Sequence, residues 1–436
     1  MTLAQGLVNS LSLLFTDDRC GRGSRGAPAA DTDPRGGWGG AKSERNGWLL
    51  ARGVSLDHHG RPALSARQDC AESHNLGRST PGGRAPCTVS KLEGDAIFAF
   101  ALEGSFMQGQ TFLDALEHIY FGYTLAWERL NVKTDCPCNA CQLTPALDLK
   151  FAAHYGSYAL QDHGMYVELV GFDVNLVHRL LKNQITPRLG LRAYAFFTEA
   201  CVRALDIGEI AEGMIEYGET FPDVGEVRGY VHDLSAVHER EVGSQAVLIP
   251  PEAAGLVVEF DLPVPPSLAW DYLSEPDYQR KWREDELMRI SGLNKGRMGA
   301  GTMVSLSPQI SGTFAPSDEL IADWKPIDYF TYRCLLPSAY NTKIRHLLMT
   351  ELAPIDSGTH VSMRFGLPEA QDPRFTWLVR LLWHIIFKHL ARRNLKNAAR
   401  IMAELVQEDI RSGKLVLEDL GPAYPLSGEL QLPAGS

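Results

Sequence analysis

The sequence contains no apolar run long enough to cross a membrane. Its longest such run, WLVRLLWHIIF at 377–387, is interrupted by Arg380 and is much shorter than the roughly 20 residues that a spanning helix requires. The N-terminal MTLAQGLVNSLSLLF has no basic segment before its apolar residues and no clear cleavage site of small residues, which disfavours secretion. We therefore expect a soluble, cytoplasmic protein without a membrane span.

The chain also lacks an excess of positive charge. Its 436 residues include 42 Lys and Arg against 53 Asp and Glu, which gives a formal net charge of −11. Proteins that bind nucleic acid without strong sequence preference usually present a basic surface. This class of function is therefore disfavoured, and no nucleic-acid partner is expected.

Cysteines are too few for a disulfide-rich scaffold in a chain of this length. Three of the 8 lie together in CPCNAC, at Cys136, Cys138 and Cys141, which suits thiolate chemistry in a reducing compartment. Three thiolates at this spacing can hold a structural zinc ion, and the alternative is a loop of reduced thiols. Candidates for a fourth ligand elsewhere in the sequence are His118, His163 and Cys201.

The length of the chain predicts two domains and a tail. Residues 19–85 are rich in Gly, Arg, Ser and Pro and show neither helical nor strand periodicity, which indicates disorder. In chain order we predict a disordered or aberrant segment at 1–86, an α/β domain at 87–247, a linker at 248–254, a second domain at 255–412 and a flexible tail at 413–436.

The first domain opens on a predicted hairpin. Two apolar runs, 87–92 and 96–101, meet around Glu93-Gly94-Asp95, so that a single carboxylate, Asp95, lies at the tip. Apolar periodicity then predicts, in order, a helix at 111–130, strands at 147–160 and 165–171, and helices at 173–182 and 192–205.

The helix predicted at 173–182 places an amide and a guanidinium on one face. Asn175 and Arg179 are spaced i, i+4, while Val174 and Val177 face elsewhere, and Asp173 can cap the helix. An amide beside a guanidinium suits a phosphate group. The alternative is that these residues form an ordinary exposed face and that Asp95 is a solvated turn residue.

These motifs together resemble the catalytic domain of class III adenylate and guanylate cyclases. The resemblance rests on G-D at the hairpin tip, H-x-G at 154–156 and V-N-x-x-x-R at 174–179, and it covers roughly 89–183. The chain looks most similar to a poorly characterised bacterial branch with a C-x-C-x-x-C insertion. The resemblance implies a ferredoxin-like α/β fold.

The resemblance also implies a reaction and a set of site residues. In that family two aspartates hold two Mg or Mn ions over a nucleoside triphosphate, which is converted to a cyclic nucleotide and pyrophosphate across a homodimer. By resemblance, Asp95 is one metal ligand, Lys91 lies at a base-recognising position, and Asn175 and Arg179 stabilise the transition state.

Two positions depart from the family pattern. The candidate for the other metal aspartate is Asp18 in LLFTDDRCG, which matches poorly, and Phe172 stands where the family has an adenine-contacting acid, with Asp173 one position later. The alternative function is therefore a sensor or scaffold that binds a nucleotide or a lipid without catalysis.

The second domain has the pattern of an antiparallel sheet that grips a helix. A strand at 255–262 precedes two short helices broken at Pro276, then several strands, then a long helix from about 374 to 408, which together predict an α+β fold. This order resembles the START/polyketide-cyclase-like (SRPBCC, helix-grip) superfamily.

That second resemblance implies a cavity for a hydrophobic small molecule or lipid. The aromatic candidates for its lining are Trp270, Trp377, Trp383 and Phe387, and their alternative role is ordinary core packing. The leading hypothesis is a signalling protein in which ligand in the second domain biases dimerisation or nucleotide handling in the first.

Overall fold

The structure is a computed structural model, and it describes residues 45–55, 87–93, 96–133, 148–162, 167–242, 246–307, 316–336 and 343–415. They form a mixed α+β protein with two large, mainly antiparallel sheets, each with its own hydrophobic core. None of the helices in these ranges is long and apolar enough to cross a membrane.

The first sheet has the strand order β2-β3-β1-β4-β6-β8-β7, with β5 paired to β4. All neighbours are antiparallel except β4 and β6. Its strands are β1 (Arg45–Ser55), β2 (Thr88–Glu93), β3 (Ala96–Leu102), β4 (Asp148–Asp162), β5 (Val167–Val170), β6 (Tyr194–Thr198), β7 (Ile215–Phe221) and β8 (Gly225–Asp233). The predicted hairpin is confirmed as β2 and β3.

In the described ranges, six helices accompany this sheet. They are α1 (Gly109–Lys133), α2 (Phe172–Leu180), α3 (Ile185–Leu189), α4 (Glu199–Leu205), α5 (Gly208–Ala211) and α6 (Leu234–Val242). Helix α1 buries Phe112, Leu113 and Leu116 in the core beside β3 and β4, which fits the apolar periodicity of its sequence.

Strand β1 corrects the prediction of disorder for the part of 1–86 that the structure describes. Residues 45–55 pair with β3 on one side and with β4 on the other, and Leu49 and Leu50 are buried. The composition of this segment alone does not indicate a strand, but its backbone NH and carbonyl groups form hydrogen bonds with two neighbouring strands.

The helix predicted at 192–205 is wrong in its first half. Residues Tyr194–Thr198 form β6, and every one of them is buried. A strand covered on both faces is continuously apolar, so its sequence cannot be distinguished from a buried helix by periodicity. Thr198 then caps α4 by accepting a hydrogen bond from the Cys201 backbone NH.

The second sheet has the order β10-β11-β12-β13-β14-β15-β9, with β16 paired to β14. Its strands are β9 (Ala254–Leu262), β10 (Arg289–Ser291), β11 (Met303–Ser305), β12 (Asp318–Lys325), β13 (Tyr329–Leu336), β14 (Ile344–Ile355), β15 (Gly358–Gly366) and β16 (Glu369–Ala370). The two predicted short helices are confirmed as α7 (Pro266–Ser274) and α8 (Pro276–Arg283).

The long C-terminal helix consists of α9 (Thr376–Leu382), a π-helical segment (Trp383–Phe387) and α10 (Lys388–Arg411). Its second half packs on the sheet. The buried residues there are Leu395, Ala398, Ala399, Met402, Ala403 and Val406. Asp409 accepts hydrogen bonds from the Tyr272 hydroxyl at 2.7 Å and the Tyr278 hydroxyl at 2.5 Å, which ties α10 to α7 and α8.

The residues at both ends of the second domain are also anchored. The Val247 NH donates to Asp323 and its carbonyl accepts from Thr331, so the residue directly before the predicted linker lies against the second sheet. Leu415, in the predicted tail, is buried in the core. Both segments pack because each carries an apolar residue that the sheet can cover.

Candidate functional site

The predicted cyclase-like residues lie on the hairpin and on α2, and the structure describes them unequally. Asp95 and Asp18 lie outside the described residues, and of Lys91 only the strand is described. Strand β3 begins at Ala96, directly after Asp95. In the pairing of β1 with β3, Arg52 lies opposite Ile97, so the end of β1 and the start of β3 are neighbours.

Helix α2 lies over this part of the sheet. The His178 ring stacks on Phe98 of β3, with 3.7 Å between ring centroids. Val174 and Val177 are buried against the same strand, as their spacing predicts. The helix that carries Asn175 and Arg179 is therefore held close to the hairpin.

The two predicted phosphate-binding side chains of α2 have different environments. Asn175 is exposed to solvent. Arg179 is partly buried, donates a hydrogen bond to the Pro222 carbonyl, and lies 3.7 Å from the Asp223 carboxylate. The Arg179 guanidinium is thus engaged by the β7–β8 turn, so binding a phosphate requires it to share or exchange these contacts.

Asp173 does not cap α2, contrary to the prediction, because Gly171 occupies the N-cap position. Its carboxylate instead accepts from the Ser157 backbone NH at 2.7 Å and lies 3.4 Å from Nε2 of His154. Nδ1 of His154 is 2.9 Å from the Thr198 hydroxyl. Burial lowers the pKa of His154, so the neutral ring accepts from Thr198 and donates to Asp173.

This arrangement explains the glycine of the H-x-G motif. A Cβ added to Gly156 would lie 2.4 Å from the Asp173 carboxylate carbon, so only a glycine lets β4 and the start of α2 approach this closely. The motif on β4 and the motif on α2 are therefore one packed unit.

We expect Gly156→Ala to destabilise the first domain by about 1–3 kcal/mol, because the added methyl group displaces Asp173 from Ser157 and His154. Urea unfolding measures this loss. The matched control is Gly208→Ala, since a Cβ at Gly208 meets no atom within 4 Å. Equal stability of both variants would show that Asp173 can move without cost.

The predicted zinc ligands Cys136, Cys138 and Cys141 lie outside the described residues, as does His163. Of the two described candidates for a fourth ligand, Cys201 is fully buried, and burial raises the pKa of its thiol. In the described ranges there is no group of three His, Cys, Asp or Glu side chains that could hold a metal ion.

A network of buried charges joins α1 of the first domain to the second domain. Arg297, in the loop before β11, donates to Asp114 at 2.9 Å through Nε and to Glu117 at 2.8 Å through Nη1. Glu117 also lies 2.7 Å from Nε2 of His232. The carboxylates of Asp114 and Glu117 are almost fully buried.

The two carboxylates titrate differently. Burial raises the pKa of Asp114 to about 6. Burial also opposes ionisation of Glu117, but the charge of Arg297 and the hydrogen bond from His232 outweigh it and lower its pKa to about 2. The network is therefore a charged contact in a buried interface rather than a surface ion pair.

A second contact between the domains is centred on Asp271 of α7. Its fully buried carboxylate accepts from the Met107 backbone NH at 2.5 Å, just before α1, and from the Thr111 hydroxyl in the first turn of α1. Burial raises the pKa of Asp271 to about 7.

A raised acid pKa predicts a stability profile with a definite sign. The folded state binds the Asp271 proton more tightly than the unfolded state, so this contribution is complete below about pH 4 and is lost as the pH rises through about 7. We expect the unfolding free energy of the wild type, relative to Asp271→Asn, to fall across this range and to level off above it. A difference between the two proteins that does not change with pH would contradict this assignment.

The interface contains a small, partly open pocket that leaves no room for a ligand. It is lined by Gln110, Thr111 and Asp114 of α1, by Trp270 and Ser274 of α7, and by Met298 and Trp324. Pockets for drug-sized ligands occupy about 300–1,000 Å³. Binding of any such ligand here therefore requires α7 or the C-terminal helix to move.

The four aromatic residues predicted to line a cavity fall into two pairs. Trp270 and Trp383 are buried. Trp270 packs edge-on against Trp324, and Trp383 stacks on Phe365 with centroids 4.6 Å apart. Trp377 and Phe387 are 66% and 42% exposed, so they lie on the surface and do not line an enclosed cavity.

The core of the second domain also holds a charged pair that sequence reasoning missed. Arg283 lies 2.9 Å from Glu319, and both side chains are buried. The guanidinium lies 4.6 Å from the Trp282 ring centroid and 5.4 Å from that of Tyr332. This pair is a polar group inside an otherwise apolar core.

Comparisons with known proteins match parts of the chain. A family model described as a protein of unknown function (DUF2652) matches residues 82–188, which include the hairpin, α1 and α2. A protein of Mycobacterium tuberculosis (strain ATCC 25618 / H37Rv), named Uncharacterized protein Rv2561/Rv2562, is 31% identical over 149 residues. The match covers 34% of this chain and 66% of that relative.

Several solved structures are similar over about a third of the chain. Protein MLL2253 from Mesorhizobium loti is 22% identical, with 32% of this chain and 95% of that chain covered and a TM-score of 0.22. Norcoclaurine synthase of Thalictrum flavum is 14% identical, with 36% and 94% covered and a TM-score of 0.26. Aha1 from Colwellia psychrerythraea is 14% identical, with 31% and 92% covered and a TM-score of 0.20.

Proposed function

We propose that this chain is a cytoplasmic signalling protein with two coupled domains. The C-terminal domain is START-like and binds a hydrophobic small molecule or lipid, and the N-terminal domain is nucleotidyl-cyclase-like and binds a nucleoside triphosphate. Ligand in the C-terminal domain alters how the N-terminal domain handles its nucleotide.

The observation that carries this proposal is the position of α1. This helix follows the β2–β3 hairpin, packs on the first sheet through Phe112 and Leu116, and contacts the second domain through Asp114 and Thr111. Trp270, which lines the interface pocket, is on the same helix as Asp271. A ligand that moves α7 therefore moves α1 and, with it, the hairpin.

The strand order supports a cyclase-like first domain. Strands β1 to β4 lie in the order β2-β3-β1-β4, with α1 between β3 and β4, which is the order of a ferredoxin-like sheet. Asp95 at the hairpin offers oxygen ligands that Mg or Mn prefers, and an ion bound there would neutralise triphosphate charge. Asn175 is available to the α-phosphate from the helix over the hairpin.

The topology of the second domain supports a hydrophobic ligand. Six described strands in sequential antiparallel order, β10 to β15, are followed by β9 and hold the second half of the C-terminal helix, as in a helix-grip fold. Movement of α7 or of the C-terminal helix enlarges the space beside Trp270, and the ligand enters this space. We also propose that the cyclase-like site forms across a homodimer. A structural zinc ion is held by Cys136, Cys138 and Cys141.

One observation favours a second candidate function, a nucleotide or lipid sensor without catalysis. Strand β1, whose end neighbours the start of β3, has the sequence RNGWLLARGVS and contains no carboxylate. A single aspartate at position 95 holds two divalent ions poorly, so nucleotide binding without turnover is the expected behaviour of this alternative.

The test is incubation of the purified full chain with ATP or GTP and Mn, with measurement of cyclic nucleotide and pyrophosphate. We expect Asp95→Ala to abolish product and Asn175→Ala to reduce it about a hundredfold, because a donor to the developing charge is lost. Asn294→Ala, at an exposed asparagine of the second domain, is the matched control. Nucleotide binding without product supports the sensor, and absence of both overturns the proposal.

A further inference from the structure

The first half of the C-terminal helix presents an apolar surface that no described part of the chain covers. Two rows spaced i, i+4 run along it, and their members are Trp377, Leu381 and Ile385 in one row and Leu378, Leu382, Ile386 and Leu390 in the other. These side chains are between 36% and 66% exposed. We call them the apolar rows.

Such exposure needs an explanation, because monomeric proteins seldom display contiguous apolar patches of this kind. Val379 and Trp383, on the other side of the helix, are buried, so the helix is fixed to the domain with the rows facing outward. Phe375 and Phe387 extend the patch and are 50% and 42% exposed.

The charged residues of the helix that carries the apolar rows all have one sign as far as Ala403. Between Phe375 and Ala403 the sequence has no Asp or Glu, although the chain as a whole carries a net charge of −11. The Lys and Arg residues of this stretch are Arg380, Lys388, Arg392, Arg393, Lys396 and Arg400.

Four of these cations are available to an outside partner. Arg380 pairs with Glu369 at 2.9 Å and Arg400 with Glu404 at 2.6 Å. Within the ranges that the structure describes, no ion pair involves the remaining four, which are Lys388, Arg392, Arg393 and Lys396. We call these the free cations.

We propose that this half-helix binds to the surface of a lipid bilayer that contains anionic phospholipids. The apolar rows enter the boundary between headgroups and acyl chains, and the free cations contact the headgroup phosphates. The segment 375–390 is about 24 Å long at 1.5 Å per residue, too short to cross the hydrocarbon core with its polar ends in water, so it lies parallel to the surface.

The charge distribution argues against a second copy of the chain as the partner that covers the apolar rows. A twofold contact through the apolar rows would bring the free cations of one copy towards those of the other, and like charges at an interface disfavour binding. An anionic bilayer satisfies both the apolar and the cationic surface.

The test is flotation of the full chain with vesicles of phosphatidylcholine alone or mixed with phosphatidylglycerol. We expect binding to the mixed vesicles only. Lys388→Gln/Arg392→Gln/Arg393→Gln should weaken the partition constant about a hundredfold at low salt, given the attraction of each basic residue to an anionic surface. Trp377→Ser/Ile385→Ser should abolish binding, because it removes two of the apolar side chains that enter the bilayer. Both side chains are exposed, so their loss leaves the core intact.

The matched control is Leu287→Ser, because Leu287 is as exposed as Trp377, at 66%, and lies outside the helix. It should bind vesicles like the wild type. The proposal is overturned if the folded wild type does not bind mixed vesicles, or if Trp377→Ser/Ile385→Ser still binds them. The wild type could instead be a dimer that does not bind vesicles and that Trp377→Ser/Ile385→Ser dissociates. A second copy would then cover the apolar rows, and the proposal would equally be overturned.

Discussion

Replacement of Arg297 by alanine should destabilise the protein by about 3–5 kcal/mol, because it leaves two buried carboxylates without their counter-charge. Arg297 contacts both Asp114 and Glu117, and Glu117 is ionised down to about pH 2 in the folded protein. Both carboxylates are almost fully buried at the interface between α1 and the second domain. Urea unfolding at pH 7 measures the loss.

A matched surface variant separates this effect from the general loss of an ion pair. Arg228 and Glu226 form an exposed pair on β8 at 3.0 Å, and such pairs contribute little. We expect Arg228→Ala to unfold at nearly the wild-type urea concentration. If Arg297→Ala did the same, the interface network would not hold the two domains together.

The second large effect is expected at the buried pair of the second domain. Glu319→Gln removes the negative charge beside Arg283 and should cost about 3–5 kcal/mol, because an uncompensated guanidinium then remains in the core. Ser317 also donates to Glu319, and the amide of Gln can replace that contact. The loss therefore reports the charge and not the hydrogen bond.

A double variant distinguishes charge from packing at this site. Arg283→Met/Glu319→Leu removes both charges and keeps apolar volume against Trp282 and Tyr332, so it should be close to the wild type or more stable. Urea unfolding of Arg283→Met, Glu319→Leu and the double variant completes the cycle. A double variant as unstable as Glu319→Gln would mean that the pair is needed for packing in its own right.

The local elements of the candidate site could be predicted from the sequence. The hairpin before and after Asp95, the amphipathic α1, and the burial of Val174 and Val177 on α2 follow from periodicities that act over a few residues. The outward position of Asn175 follows from the same spacing.

Contacts between distant segments could not be predicted in this way. Arg297 and Asp114 are 183 residues apart, and no local pattern pairs them. A signal was nevertheless present, since Asp114 and Glu117 stand one turn apart among the apolar residues of α1, where a charge needs a partner. The same limitation applies to β1, whose strand structure depends on two neighbours.

The aromatic residues of the C-terminal helix show a different limitation. Trp377, Trp383 and Phe387 have similar local sequences, yet only Trp383 is buried. Burial here depends on which turn of the helix meets the sheet, and the π-helical segment Trp383–Phe387 changes the phase of the helix at this point. The wider turn of a π-helix departs from the period of 3.6 residues, so that period does not predict which of these three side chains is buried.

The coupling between ligand and nucleotide is tested most directly by nucleotide affinity in two states of the same protein. Calorimetric titration with Mn-ATP or Mn-GTP is carried out on the purified full chain before and after removal of copurified lipid. We predict that removal changes the affinity at least about fivefold and that restoring the extracted lipid reverses the change. Equal affinities in the two states, or no nucleotide binding in either, would contradict the account.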